Sequence, residues 1–96
     1  MTLALDIAAR IERDFSPGDA QAVKELLIEL QREDARTFGD RQLRCAVYLA
    51  HGNFSTLAYA ITLGRSDYRD LIMAAEYEKG TDRRLRDFNN PFDGAV

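Results

Sequence analysis

Apolar positions along the chain recur every three or four residues, and no stretch alternates with the period of two that marks a strand. Leu3, Ile7, Ile11 and Phe15 are spaced by four, with Ala8 beside them, which places them on one face of a helix. Thr2 is a candidate cap for that helix. Ser16-Pro17-Gly18 then breaks the pattern, and Asp19 is the expected cap of a second helix. Val23, Leu26, Leu27 and Leu30 form its apolar stripe, while Lys24, Glu25, Glu29, Arg32, Glu33 and Arg36 fill the remaining surface. Both segments read as amphipathic helices that each cover one side of a core.

The third segment, about Asp40 to Ala50, has a different pattern. Leu43, Ala46, Val47 and Ala50 share one face, but Cys45, Tyr48 and Leu49 occupy much of the rest. A helix that is apolar nearly all round is expected between other elements. His51-Gly52-Asn53 reads as a tight connection, with Gly52 a left-handed C-cap and Asn53 the next N-cap. The fourth segment, about Phe54 to Leu63, places Phe54, Leu57, Ala58 and Ile61 on one face and Tyr59 and Leu63 on the opposite side, with Gly64 as its expected end. A fifth opens at Ser66 or Asp67, turns Tyr68, Leu71, Ile72 and Ala75 inward, and is expected to end near Gly80. Ala46, Ala50, Ala58, Ala60, Ala74 and Ala75 would let these three helices approach closely. One further helical turn is expected through Leu85 and Phe88, after which Asn89-Asn90-Pro91-Phe92-Asp93-Gly94 has turn and coil chemistry.

The fold predicted is all-α: a compact bundle of about five short antiparallel helices, stacked as helical hairpins in the tetratricopeptide or HEAT manner. Residues 1–88 would form one helical domain and 89–96 a flexible tail. The 96-residue length allows a single domain with a modest core. A shift of 28 residues aligns Arg41 with Arg69, Leu43 with Leu71, Ala46 with Ala74, Gly52 with Gly80 and Leu57 with Leu85, which suggests related hairpins. Within the third and fourth segments, Tyr48, Gly52, Asn53-Phe54 and Leu57 resemble the middle of a tetratricopeptide-type hairpin over about twenty residues. That resemblance implies protein binding on a helical surface.

Charge narrows the partners. Residues 1–40 carry nine acids and five bases, residues 41–80 four and five, and the last sixteen three of each, for a net charge of −3. An acidic first half argues against nucleic acid or an anionic membrane as partner. The start of the chain lacks the basic patch and apolar run of a signal peptide, and no run reaches the roughly 18 residues of a membrane span. With one cysteine, Cys45, and one histidine, His51, neither a disulfide framework nor a zinc site is expected; a cytoplasmic location is. The eleven Arg against two Lys are read as coding bias.

Candidate chemistry has local explanations. Glu25, Glu29 and Glu33, or Asp67 and Asp70, have the i, i+3 or i+4 spacing of magnesium-binding carboxylates, and a small metal-dependent hydrolase using the first set is one alternative. The first set also interleaves with Arg32 and Arg36 on a solvated face, and the second sits where a helix dipole favours acids. His51, with Cys45 or Asp40 as partner, could act as a base, but it falls at a helix C-terminus. The 43–61 stretch has the outline of a helix-turn-helix, a DNA-binding alternative, yet its second helix offers no side chain suited to reading a base edge. Arg83, Arg84 and Arg86, bracketed by Asp82 and Asp87, read as a solvated turn or a dock for an acidic partner. No catalytic, cofactor or metal residues are assigned.

The four tyrosines all lie between positions 48 and 77. Tyr48, Tyr59, Leu63, Tyr68 and Tyr77 put apolar area on faces the main stripes do not use, and tyrosine is favoured at protein interfaces. Either helices one and two, with Phe88 and Phe92, cover this second side, or it binds a protein partner or a second copy of the chain. The expected function is a small adaptor or regulatory interaction module, a homodimer or a neutraliser of another protein being forms of the same reading.

Overall fold

Among residues 3–92, the part of the chain that the computed structural model describes, five helices form: α1 (Leu5–Asp14), α2 (Pro17–Glu33), α3 (Asp40–Ala50), α4 (Phe54–Ser66) and α5 (Tyr68–Glu76). The all-helical bundle expected from the periodicity is therefore the observed fold. α3 lies at its centre, packed against α1, α4 and α5, while α2 rests on α1. Every residue from Leu43 to Val47 is buried, as is Ala50, which is the environment a helix apolar on several faces requires.

The caps show why the helices start where they do. Asn53 accepts from the Thr56 N–H at 3.1 Å, and Asp67 accepts from the Arg69 N–H at 3.0 Å, each satisfying a donor at a helix start. Thr2 lies outside the described residues, and the residue at the α1 cap position, Ala4, makes no side-chain cap. For α2 the cap is Ser16 rather than Asp19: its Oγ accepts from the Asp19 N–H at 3.4 Å, with Pro17 opening the helix. Proline fits there because its φ is already helical and its missing N–H would have had no partner. Asp19 takes the first-turn position, where the helix dipole favours an acid.

Two glycines let elements approach closely, one in a turn and one inside a helix. After α3, His51 and Gly52 both take left-handed conformations, with φ of 48° and 77°. A Cβ on Gly52 would stand 2.3 Å from the Asp14 carbonyl oxygen, so the α3–α4 turn presses on the end of α1. Gly64 does not end α4, which continues to Ser66. It is buried inside the helix, where a Cβ would lie 2.9 Å from Leu71 Cδ2 and 3.2 Å from Phe38 Cε1. Its role is close packing, not termination. Of the alanines expected at helix contacts, Ala46, Ala50, Ala60 and Ala75 are buried, whereas Ala58 and Ala74 face solvent.

The chain departs most from expectation after α5. That helix ends at Glu76, not near Gly80, and Tyr77 pairs with Arg84 in an isolated antiparallel bridge around an exposed 78–83 turn. No helical turn follows through Leu85 and Phe88. The Leu85 and Arg86 N–H groups donate instead to the Glu76 carbonyl, at 2.7 and 3.1 Å, and so satisfy an acceptor left open at the end of α5. The chain then crosses the bundle, and both Phe88 and Phe92 are buried. Of the flexible tail expected from Asn89, Asn89, Asn90 and Pro91 are exposed and Phe92 packs on the core; positions 93–96 lie outside the described residues. The 28-residue correspondence does not persist in three dimensions either, since Leu57 is buried on a helix and Leu85 is exposed on this crossing segment.

Candidate interaction site

The outer face of α4 is unusual in composition. From Phe54 to Gly64 the sequence has no charged residue, although charged residues make up 30% of the chain. Leu57, Ala60, Ile61 and Gly64 face the core. That leaves Ser55, Thr56, Ala58 and Thr62 exposed, together with Phe54 at 43% and Tyr59 at 69% of full exposure. The Thr62 hydroxyl donates to its own helix, to the Ala58 carbonyl at 3.0 Å, which lowers the polarity of the surface further. Three helical turns thus present a surface of small, hydroxyl and aromatic side chains to solvent.

The five expected partner-binding residues do not form one surface. Tyr59 is the most exposed of them, with half-buried Leu63 one turn further along α4. Tyr68 opens α5, exposed at 42%. Tyr77, half-buried, lines a groove of about 750 Å³ with Met73, Ala74 and the 78–82 turn. Tyr48 is covered by the chain itself: its ring lies 5.3 Å from the ring of Phe88 and 5.4 Å from that of His51, with the Arg86 guanidinium 4.6 Å above it. Covering by the C-terminal segment, one of the two outcomes expected, is what happens at α3. α4 keeps its second side open.

Two buried charged residues, Glu76 and Arg44, hold that C-terminal segment in place. Glu76, with no exposed surface, is gripped by Arg41 at 2.8 and 2.9 Å and by Arg84 at 2.9 and 3.2 Å, and it accepts from the Phe88 N–H at 3.1 Å. Burial alone would raise its pKa, but the hydrogen bonds from Arg41, the Phe88 amide and Arg84 outweigh this and hold it below the ordinary value. Arg44, also buried, pairs with Asp6 of α1 at 2.8 and 3.1 Å and donates to the Phe88 carbonyl at 3.2 Å. Asp6 in turn accepts from the Phe92 N–H at 3.0 Å, and the Arg44 hydrogen bond lowers its pKa. Both polar groups of the Phe88 peptide backbone are therefore held by charged side chains. Among the described residues every buried side-chain polar atom has a partner.

Arg44 and Glu76 escape a reading based on apolar periodicity, because each is a charged position among apolar ones. The available signal was that position: Arg44 falls between Leu43 and Cys45, and Glu76 follows Ile72 by four. A charge on a core-facing row needs a partner. Of the basic group before the tail, Arg84 pairs with Glu76 and Asp87, Arg86 donates to the Ala75 carbonyl at 2.7 Å, and Arg83 is exposed with no acidic contact among the described residues.

The remaining candidates for chemistry are separated. Cys45 is fully buried, its thiol 3.9 Å from Glu76 Oε2 and its pKa pushed up to about 12 by burial and by that carboxylate. His51 sits at the exposed end of α3. Glu29 is held by Arg32 through both carboxylate oxygens, and Glu25 accepts from Gln21. Asp67 caps α5 and pairs with Arg69. No three His, Cys, Asp or Glu residues gather in a metal-binding arrangement, and no helix is long and apolar enough to cross a membrane, among the described residues.

Comparison of the chain with family models, curated proteins and solved structures finds no match.

Proposed function

We propose that the chain is a small protein-interaction module, of adaptor or regulatory kind, whose contact surface is the outer face of α4 centred on Tyr59. The observation that carries this reading is an eleven-residue stretch without charge that keeps Tyr59 69% and Phe54 43% exposed, in a chain of which 30% of the residues are charged. Protein interfaces are depleted of charge at their centres and enriched in aromatic residues, so this face has an interface composition. Leu63 and Tyr68 would border it. The hairpin resemblance around Gly52 and Asn53 supports the same reading, because stacked helical hairpins bind proteins on their surfaces. A second copy of the chain and a different protein are the two occupants considered; a cytoplasmic setting fits the unpaired Cys45.

The experiment compares the wild type with Tyr59→Glu, which places a charge at the centre of the face without touching the core. Light scattering after size exclusion, over a hundredfold range of concentration, reads self-association. Capture from the native cell reads other proteins. A dimer or a captured protein lost on Tyr59→Glu supports the surface. A concentration-independent monomer whose captured proteins are unchanged by the substitution overturns it.

A further inference from the structure

The segment from Arg84 to Phe92 is bound in a manner that suits a ligand more than a structural element. It adds no strand to a sheet and no helix to the bundle. Its contacts include two aromatic side chains, Phe88 and Phe92, whose rings meet at 5.5 Å, the Arg84 and Arg86 guanidinium groups on Glu76 and on the Ala75 carbonyl, and backbone groups read by side chains of the bundle. Glu76 takes the Phe88 N–H, Arg44 reaches the Phe88 carbonyl, and Asp6 takes the Phe92 N–H. The Arg10 guanidinium lies 4.7 Å over the Phe92 ring. Around Phe88 the segment folds on itself: Asn90 N–H donates to the Asp87 carbonyl, and Asp87 Oδ1 accepts from the Asn89 N–H at 2.9 Å. Such a turn restricts the unbound segment and lowers the entropy lost on seating.

The groove keeps its two main ion pairs without its occupant. A buried charge left alone would be strongly destabilising, but Arg44 keeps Asp6 and Glu76 keeps Arg41 when the segment leaves. Arg84 and Arg86 depart with it, together with the Phe88 and Phe92 rings, whose seat on the bundle is then open to an equivalent pair of aromatics. The linker, residues 78–83, is exposed throughout, and Gly80 has nothing within 4 Å of where a Cβ would stand, so the turn has room to open.

We propose that the groove formed by Asp6, Arg10, Arg44, Tyr48 and Glu76 is a receptor for a turn-forming peptide with aromatic residues four positions apart, and that residues 84–92 are its intramolecular occupant. A partner carrying such a segment displaces them. The covalent link gives the chain's own segment an effective concentration in the millimolar range, so a free peptide competes poorly until the resident aromatics are removed. This site is separate from α4 and does not depend on the reading given to Tyr59.

The test uses the full chain and a fluorescein-labelled peptide with the sequence of residues 83–92, read by fluorescence anisotropy. The Phe88→Ala/Phe92→Ala variant, shown by circular dichroism to keep the wild-type helical signal, is expected to bind the peptide at least tenfold more tightly than the wild type does. A peptide with alanine at both aromatic positions should not bind, and adding Tyr59→Glu to the protein should change nothing. A folded variant that binds neither peptide, or both equally, overturns the proposal. Should the double variant unfold, a protease site inserted between Lys79 and Gly80 of the otherwise wild-type chain replaces it. After cleavage, exchange of the released fragment for labelled peptide, with helicity retained, supports the groove. A fragment that never exchanges, or helices that melt as it leaves, overturns it.

Discussion

Glu76 at the end of α5 and Arg41 at the start of α3 form a two-pronged ion pair across thirty-five residues, with Oε1 and Oε2 each accepting one guanidinium N–H. One end of the pair is fully buried and the other is 30% exposed, so the carboxylate depends on the pair more than the guanidinium does. Truncating Glu76 removes the anchor of Arg41, Arg84 and the Phe88 amide together. Glu76→Ala is expected to cost on the order of 3 kcal/mol, read as a lower urea midpoint, whereas Arg69→Ala, at a pair on the surface, should leave the midpoint nearly unchanged. Equal losses would mean that the buried network contributes nothing beyond a surface pair.

Acid should weaken the fold through the same groups. Asp6 and Glu76 both have pKa values lowered by folding, so each binds its proton more readily in the unfolded chain. Their contribution is complete above the unfolded values, about 3.9 for Asp and 4.3 for Glu, and is lost as pH falls through the lower folded values. Urea unfolding at pH 7, 5, 4 and 3 should show a steep decline only below about pH 4.5, and Asp6→Asn combined with Glu76→Gln should flatten it. A double variant with the wild-type slope would move the acid response to other carboxylates.

Gly52 and Gly80 make a controlled pair. Both have φ near +78°, but an added Cβ meets the Asp14 carbonyl oxygen at Gly52 and open space at Gly80. Gly80→Ala should cost only the left-handed penalty, about 1–2 kcal/mol. Gly52→Ala must also force α1 away from the α3–α4 turn and should cost at least about 2 kcal/mol more, in the range of overpacked cores. Similar urea midpoints for the two would show that the turn and α1 separate freely.

Cys45 should be inert in the folded protein. A fully buried thiol with a pKa near 12 has almost no thiolate at neutral pH. Its reaction with a chromogenic disulfide should track the unfolded population as urea is raised. Rapid labelling without urea would contradict the burial.

The helical period was legible because each apolar stripe extends over several turns, and the cap Asn53, with Asp67 as one of two candidates beside Ser66, was legible because such side chains act within three residues. Ser16 was passed over for Asp19 because both are good caps, and only the placement of Pro17 at the first helical position separates them. The region after Glu76 was not readable by the same means. Leu85 and Phe88 have helical spacing, but the hydrogen bonds that decide their conformation go to α5, α3 and α1. Tyr48 and Tyr59 look alike in sequence, and one is covered and the other open because the crossing segment lies over α3. That path is set by Asp6, Arg44 and Glu76, which come from three different helices.

The hydrogen bond from Phe92 to Asp6 joins positions 86 residues apart. Closing so long a loop costs conformational entropy that the helical turns, each closed over four residues, do not incur. This bond is therefore expected to form after the bundle has assembled and to break before it unfolds. In hydrogen exchange, the Phe92 amide should open at a lower free energy than amides in the middle of α3, and the protein would have a local opening mode distinct from global unfolding.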